Sequence, residues 1–227
     1  MAEEAVVYLS WVGCEFVWRM EDVLDLYEEP YEEKRPTVCF DEMPYQLVAE
    51  KRIPLALKPG RPERYDYEYE RKGTANLFVV FEPKKGWRHI EVTDRRTGVD
   101  FAFRMRQLVD EHYPEAEKIR VVMDNLKTHT PASLYRAFKP AEARRILGRL
   151  EFHYTPNHAS WLNQVEIELS VLCGQCLGGR RIPDQEALKR EIGAWERERN
   201  ERRATVEWRF TAKDARKKLK RLYPLQP

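Results

Sequence analysis

Short apolar runs that end in carboxylates are the feature that most limits how this chain can fold. The segment "IRVVM" at residues 119–123 is followed by Asp124 and Asn125, and "TVCF" at 37–40 is followed by Asp41 and Glu42. Apolar runs of this length predict buried strands. A buried, unpaired carboxylate is very unfavourable, so each acid must lie where its strand opens onto water or a cation.

The order of the predicted elements favours an α/β fold. Three strands come first, and helices then alternate with two further strands. The predicted strands lie at 37–40, 76–81, 87–92, 119–123 and 150–154, and the predicted helices at 15–29, 99–112, 131–138, 141–148, 161–172, 184–201 and 212–222. This order predicts a mixed five-stranded sheet flanked by helices on both faces.

The charge of the chain is balanced overall but unevenly distributed. Forty basic residues face 38 acidic ones, yet residues 1–34 carry ten acids against two bases, and residues 200–227 carry nine bases against three acids. A basic tail suits contact with a polyanion, although a solvated helix face explains it equally simply. No apolar run is long enough to cross a membrane and no secretory signal is visible, so we expect a cytoplasmic protein.

Two cysteines, Cys173 and Cys176, form a single C-x-x-C motif. A zinc site of this kind needs a second ligand pair, which the sequence lacks. Because the two residues are three apart in a predicted helix, we expect them to pack rather than bind metal.

Acids at three places in the predicted fold suggest metal-dependent chemistry. Ligand sites in such sheets favour the ends of strands. Besides Asp41 and Asp124, the helix after the fifth strand carries Glu166 and Glu168. Converging carboxylates repel one another unless divalent cations neutralise them, and two such cations are what phosphoryl transfer between oxygens requires.

Simpler interpretations stay open at this point. Each acid alone could be a helix cap or a surface charge. Asp41, Asp124 and His129 could also serve metal-free acid–base hydrolysis, although no nucleophile motif G-x-S-x-G is present. The phosphate-binding and zinc-hydrolase motifs are absent from the sequence as well.

Three blocks of the sequence resemble the catalytic blocks of mariner-type DDE transposases, in particular the bacterial insertion-sequence branch. The blocks are "VCFDE", "VVMDNLKTH" and "PNHASWLNQVEIEL". The resemblance spans roughly residues 15–225. It implies a ribonuclease-H-like, or retroviral-integrase-like, fold whose central strands present the catalytic acids.

The resemblance assigns roles to particular residues. Asp41, Asp124 and Glu166 would be the catalytic acids and the ligands of two Mg²⁺ or Mn²⁺ ions, with Glu168 as the nearby competitor of Glu166. Supporting roles would fall to Asn125, His129 and Asn163, where Asn163 could instead cap the helix that carries Glu166. The implied reaction is hydrolysis of a phosphodiester at insertion-sequence ends, followed by strand transfer into target DNA.

Contact with DNA would be mostly to phosphates, through basic residues. The candidates are Lys58, Arg61, Arg64, Arg71 and Lys72, between the first two strands, and Lys217 and Lys218 in the tail. Relatives act as dimers across two transposon ends, so the resemblance implies a possible homodimer, with no membrane partner and a location near the bacterial nucleoid.

Two departures from the family pattern bear on function. The 41 residues between Asp124 and Glu166 exceed the usual spacing, which a surface insertion at 131–148 would explain. No helix-turn-helix module precedes the catalytic blocks, so we expect an N-terminal remnant and linker helix (1–36), a catalytic domain (37–203) and a basic C-terminal helix (204–227). The alternatives are a truncated, non-catalytic remnant that binds DNA or full-length transposase, and a different nuclease of the same fold.

Overall fold

The structure, a computed structural model, describes residues 2–52, 60, 67–126 and 128–223, with side chains from residue 13 onward. Its centre is one five-stranded sheet in the order β3-β2-β1-β4-β5. The strands are β1 (Thr37–Glu50), β2 (Tyr69–Glu82), β3 (Trp87–Thr93), β4 (Ile119–Met123) and β5 (Leu150–Tyr154). Strands β1, β2 and β3 form an antiparallel meander, whereas β4 and β5 are added in parallel to β1. The predicted mixed five-stranded sheet is confirmed.

Seven α-helices cover the two faces of this sheet in the described part of the chain. They are α1 (Ala2–Glu28), α2 (Gly98–Gln107), α3 (Ala132–Ala137), α4 (Pro140–Leu147), α5 (Val165–Leu172), α6 (Gln185–Glu201) and α7 (Ala212–Lys218). Local sequence explains several of the helix starts. Thr97 and Asp100 form a capping box on α2, and Asp184 caps α6 through the Ala187 amide.

Alternation along the strands divides the core into two apolar layers, one on each face of the sheet. One layer packs α1, α5, α6 and α7 against the sheet and includes Leu24, Leu77 and Leu169. The other packs α2, α3 and α4 and includes Phe40 and Phe101. Strand β4 is buried along its whole length, which explains why four of its five residues are apolar; the fifth, Arg120, is paired with Glu29.

Several elements extend beyond the sequence prediction. Strand β1 continues past residue 40 to Glu50, and β2 begins at Tyr69 rather than at 76. The predicted strand end at Asp41 is therefore wrong: β1 and β2 continue to pair with each other in an outer region where β2 is exposed and polar and where Pro44 interrupts the apolar alternation of β1. Helix α1 begins at Ala2, thirteen residues before the predicted start.

Two predicted helices are interrupted. The helix expected at 161–172 is a 3₁₀ turn (Ser160–Leu162) followed by α5, with Asn163 and Gln164 between them. The C-terminal helix expected to reach residue 222 stops at Lys218 and is followed by a 3₁₀ turn. Helix α2 ends in a π-helical turn that reaches His112, and none of the described helices is long and apolar enough to span a bilayer.

The acidic N-terminal helix and the basic C-terminal helix contact each other. Arg216 of α7 binds Glu21 of α1 through two hydrogen bonds of 2.7 Å, and Tyr223 donates to the same carboxylate. The Ala212 amide, in the first turn of α7, donates to Glu28. Part of the uneven charge distribution is thus neutralised within the molecule.

Candidate active site

Asp41 and Asp124 lie side by side because of the register of two neighbouring strands. Strands β1 and β4 are parallel, with Cys39 opposite Val122 as their last paired residues. The same register two residues further sets Asp41 beside Asp124. Asp41 belongs to the continuing β1 strand, and Asp124 begins the loop after β4. The point where the parallel pairing ends therefore brings two carboxylates together.

Glu166 reaches this point from the first turn of α5. Two side-chain hydrogen bonds fix the approach to α5: Asn163 Nδ2 donates to the Phe40 carbonyl at 2.9 Å, and the buried Tyr27 hydroxyl donates to the Leu162 carbonyl at 2.8 Å. Because Phe40 directly precedes Asp41, the Asn163 contact ties the helix carrying Glu166 to the strand carrying Asp41. The side chain of Asn163 does not cap α5, as the sequence allowed; it braces α5 against β1.

The three acids line one open cleft of about 430 Å³. Its walls are formed by the residues that follow Phe40 in β1, by the loop after β4 and by one side of α5. The lining residues are Asp41, Glu42, Met43, Pro44, Arg96, Asp124, Leu126, Ser160, Asn163, Glu166, Leu169, Ser170 and Cys173.

The electrostatics of the cleft resist further negative charge. Burial raises the pKa of Asp41 to about 7, and the neighbouring Asp124, Glu166 and Glu42 carboxylates add to the increase. The Glu42 amide opposes it by donating to Asp41 Oδ1 at 2.8 Å. A carboxyl such as Asp41, whose ionisation is suppressed by burial and by neighbouring like charge, is a group whose charged form a cation stabilises.

The two predicted supporting residues after Asp124 differ in position. Asn125 is exposed and lines a second, shallower cavity between α1 and the loop after β5. His129 is buried, with only 1% of its side chain exposed, and its Nδ1 lies 2.6 Å from Asp124 Oδ1. His129 is therefore a direct neighbour of the candidate site.

Glu168 is separated from the cleft by its own burial. Its side chain is 1% exposed and lies 3.0 Å from the guanidinium of the fully buried Arg88. Arg199 of α6 binds both oxygens of Glu168, at 2.7 and 3.0 Å. Two arginines thus hold Glu168 among β3, α5 and α6, so it cannot replace Glu166 in the cleft without leaving the buried Arg88 and the partly buried Arg199 without their counter-ion.

The residues of the cleft fit a hard divalent cation. No three acidic, histidine or cysteine side chains in the described part of the chain already form a metal-binding cluster. Mg²⁺, however, keeps several waters and takes only one or two carboxylates directly. Asn163 Oδ1 is buried in the wall of the cleft without a hydrogen-bond partner, which is the kind of acceptor that a cation or its water satisfies.

The family is decided by sequence comparison. Residues 36–189, which include Asp41, Asp124 and Glu166, match the family described as DDE superfamily endonuclease. The chain belongs to this family. The predicted family resemblance is confirmed, whereas no curated protein sequence gives a significant match.

This DDE superfamily chain has the fold of the Mos1 mariner transposase. The Mos1 paired-end complex with Mn is 17% identical, with a TM-score of 0.56 over 83% of this chain and 56% of that one. The isolated Mos1 catalytic domain is 14% identical, with a TM-score of 0.53 over 86% of this chain and 91% of that one. The chain thus spans little more than half of the Mos1 chain in that complex and almost all of the Mos1 catalytic domain. The ribonuclease-H-like fold is confirmed.

Of the DNA-contact candidates of this DDE chain, the four that the structure describes do not line the cleft. Lys58, Arg61 and Arg64 lie outside the described residues. Arg71 and Lys72 are exposed on the outer part of β2, where Arg71 pairs with Val48, seven residues and therefore about 20 Å along β1 from Asp41. Lys217 and Lys218 are exposed on α7, and the Lys218 ammonium lies over the Phe210 ring.

Two residues of the site were not predicted from sequence. Glu42 is a buried carboxylate in contact with His129, and Arg96 is a half-exposed cation on the rim of the cleft, in the loop between β3 and α2. The doublet Asp41-Glu42 was visible, and strand alternation could have placed its two members on opposite faces. Nothing local marks Arg96, because only the tertiary fold brings its loop to the cleft.

The C-x-x-C motif lies beside this site without forming part of it. Cys173 lines the cleft and contacts the Met43 sulfur at 3.7 Å, while Cys176 is buried in the core. Both thiols are free, and burial raises the pKa of each. Their packing agrees with the expectation from the sequence.

Proposed function

We propose that this chain is the catalytic domain of a DNA transposase, which hydrolyses a phosphodiester at the ends of an insertion sequence and transfers the freed strand to target DNA. One observation supports this most strongly. A DDE-superfamily chain with a transposase-like fold brings Asp41, Asp124 and Glu166 from three separate elements to one cleft.

The three carboxylates would hold Mg²⁺ or Mn²⁺, as two ions. When bound, such a pair activates the attacking oxygen and stabilises the leaving one. The protein supplies rigid positions for the ligands: Asp41 is part of a paired strand, Asp124 directly follows a fully buried strand, and Glu166 is fixed by the Asn163 brace. Sites on regular elements are held more accurately than sites on loops.

Nucleic acid is the proposed partner. The cleft is open, as access to a DNA strand requires, and Arg96 is the one cationic residue that lines it in the described part of the chain. Arg71, Lys72, Lys217 and Lys218, together with Lys58, Arg61 and Arg64, would contact phosphates outside the cleft. The protein would act as a homodimer that holds two transposon ends, and it would be located with the bacterial chromosome.

The proposal is tested by Asp124→Asn, with Asp110→Asn as the matched control. Asp110 is an exposed acid paired with Arg145 at the far end of α2, away from the cleft. We expect Asp124→Asn to reduce Mg²⁺- or Mn²⁺-dependent nicking of labelled insertion-sequence ends by at least about 100-fold, because a ligand of the catalytic ions is lost. The control should nick normally. Undiminished nicking by Asp124→Asn would contradict the proposed site.

A further inference from the structure

Glu42 is a buried carboxylate that the proposed chemistry does not use. Its side chain is 3% exposed, which is unusual for an acid unless it is paired. Because side chains alternate along a strand, Glu42 points to the opposite face of β1 from Asp41. It therefore lies towards the side of the sheet that holds Phe40, Phe101 and α2, at the edge of the cleft that Asp41 lines.

His129 connects Glu42 to Asp124. Its Nδ1 lies 2.6 Å from Asp124 Oδ1, and its Nε2 lies 2.6 Å from Glu42 Oε2. Glu42 Oε2 makes no well-aligned hydrogen bond, so the second contact is an ion pair set by proximity. His129 thus bridges Asp124 and Glu42 through its two ring nitrogens.

The surroundings hold His129 in one orientation. Its ring packs against Phe40 and Phe101, with ring centroids 5.4 and 5.1 Å away. The backbone is fixed as well, since the His129 amide donates to the Leu126 carbonyl and the Tyr154 hydroxyl donates to the His129 carbonyl. Because ring packing and backbone hydrogen bonds restrain it, the His129 side chain can set the orientation of the Asp124 carboxylate.

Glu42 has a second basic neighbour, Arg96, which could be its main partner instead. The Arg96 guanidinium is 3.9 Å from Glu42 Oε1, and the Arg96 side chain is 51% exposed. An exposed pair at that distance contributes little, because water screens it and a long side chain must be ordered. The contact with His129 is shorter and fully buried, so it dominates.

From these contacts we propose that Glu42 and His129 are positioning residues that orient Asp124: His129 holds Asp124 Oδ1, and Glu42 holds His129 at its other ring nitrogen. No described residue hydrogen-bonds to the other Asp124 oxygen, which is thus left for a cation. This inference rests on the proposed function, because it assumes that Asp124 is a metal ligand.

The test measures Mn²⁺ affinity in Glu42→Gln, a change that keeps the shape of the side chain and removes its charge. We expect the Kd for Mn²⁺, from isothermal titration or electron paramagnetic resonance, to rise about 10-fold, as is typical when a residue that orients a metal ligand is altered. His129→Asn should weaken binding to a similar degree. Urea unfolding of each variant identifies conditions under which it is fully folded during the titration.

Glu82→Gln is the matched control. Glu82 is equally buried and pairs with the Tyr113 hydroxyl at 2.6 Å, at the far end of β2. The Glu82→Gln substitution should lower the free energy of unfolding and leave the Kd for Mn²⁺ unchanged. An unchanged Kd in folded Glu42→Gln would overturn the positioning role alone. If the unsubstituted protein does not bind Mn²⁺, the proposed function and this inference are both overturned.

Discussion

At the scale of single residues, two glutamates two positions apart have opposite environments. Glu166 faces the cleft from the first turn of α5, while Glu168 is enclosed by Arg88 and Arg199. Their spacing explains the difference, because residues i and i+2 of a helix point to different sides. The same chemical type thus serves a candidate active site in one case and the core in the other.

This difference predicts opposite effects for Glu166→Gln and Glu168→Gln. The first should abolish metal-dependent cleavage and change the free energy of unfolding by about 1 kcal/mol or less, because Glu166 is half-exposed and has like-charged neighbours. The second should lower the free energy of unfolding by about 3–5 kcal/mol, because it leaves the buried Arg88 and the partly buried Arg199 without their counter-ion. Urea denaturation and a nicking assay distinguish the two. Equal loss of stability in both variants would contradict the assignment.

At the scale of elements, α6 is joined to the edge strand β3 by a histidine ion pair. His89 Nδ1 lies 3.1 Å from Glu196, whose other oxygen accepts from the Ile90 amide. Burial lowers the pKa of His89, but Glu196 and Glu91 outweigh this and raise it to about 9 from 6.5. Because the folded protein holds this proton more tightly than the unfolded chain, the resulting stability is complete below pH 6.5 and is lost as the pH rises through about 9.

We therefore expect His89→Gln to lower the free energy of unfolding by about 2 kcal/mol at pH 6 and by much less at pH 9.5, where the unsubstituted protein has also lost the pair. Urea denaturation between these pH values measures the difference. His153→Gln is a suitable control. The His153 ring, on β5, pairs with Asp22 of α1, so the substitution removes a histidine of similar burial from another interface. A His89→Gln effect independent of pH would show that packing, not charge, joins α6 to β3.

At the scale of the whole molecule, charge is arranged so that only part of the basic tail is available to a polyanion. Arg216 is bound to Glu21, whereas Lys217 and Lys218 are exposed on α7 and form no ion pair with an acid in the described part of the chain. Contacts between such lysines and DNA phosphates release counter-ions, so they should appear in the salt dependence of binding.

For this reason we expect Lys217→Ala/Lys218→Ala to weaken DNA binding and to reduce the slope of log Kd against log salt by roughly 1–2. Fluorescence anisotropy over a salt series provides both values. Lys189→Ala on α6 is the control, because this exposed lysine is paired with Glu186 and is not among the DNA candidates. An unchanged slope in the double variant would remove α7 from the DNA-binding surface.

The sequence predicted the parts of the fold that follow from local pattern. All five strands and most helices were found, since buried strands are apolar runs and amphipathic helices repeat every three to four residues. The outer half of β2 was missed because its residues are exposed and polar, and the outer half of β1 because Pro44, which normally argues against a paired strand, interrupts its apolar alternation. The break at Asn163 was missed because its cause is a hydrogen bond to Phe40, more than a hundred residues away along the chain.

The sequence by itself determined the family and the sheet, and it predicted the three candidate acids, because these depend on short segments whose chemistry is local. Only the tertiary structure decided which side chains meet. It set Asp41 beside Asp124 through strand register, buried Glu168 between two arginines, and placed His129 between Asp124 and Glu42. The physical reason is that burial and pairing, which determine whether a carboxylate binds a cation or stabilises a core, come from residues that are distant in sequence.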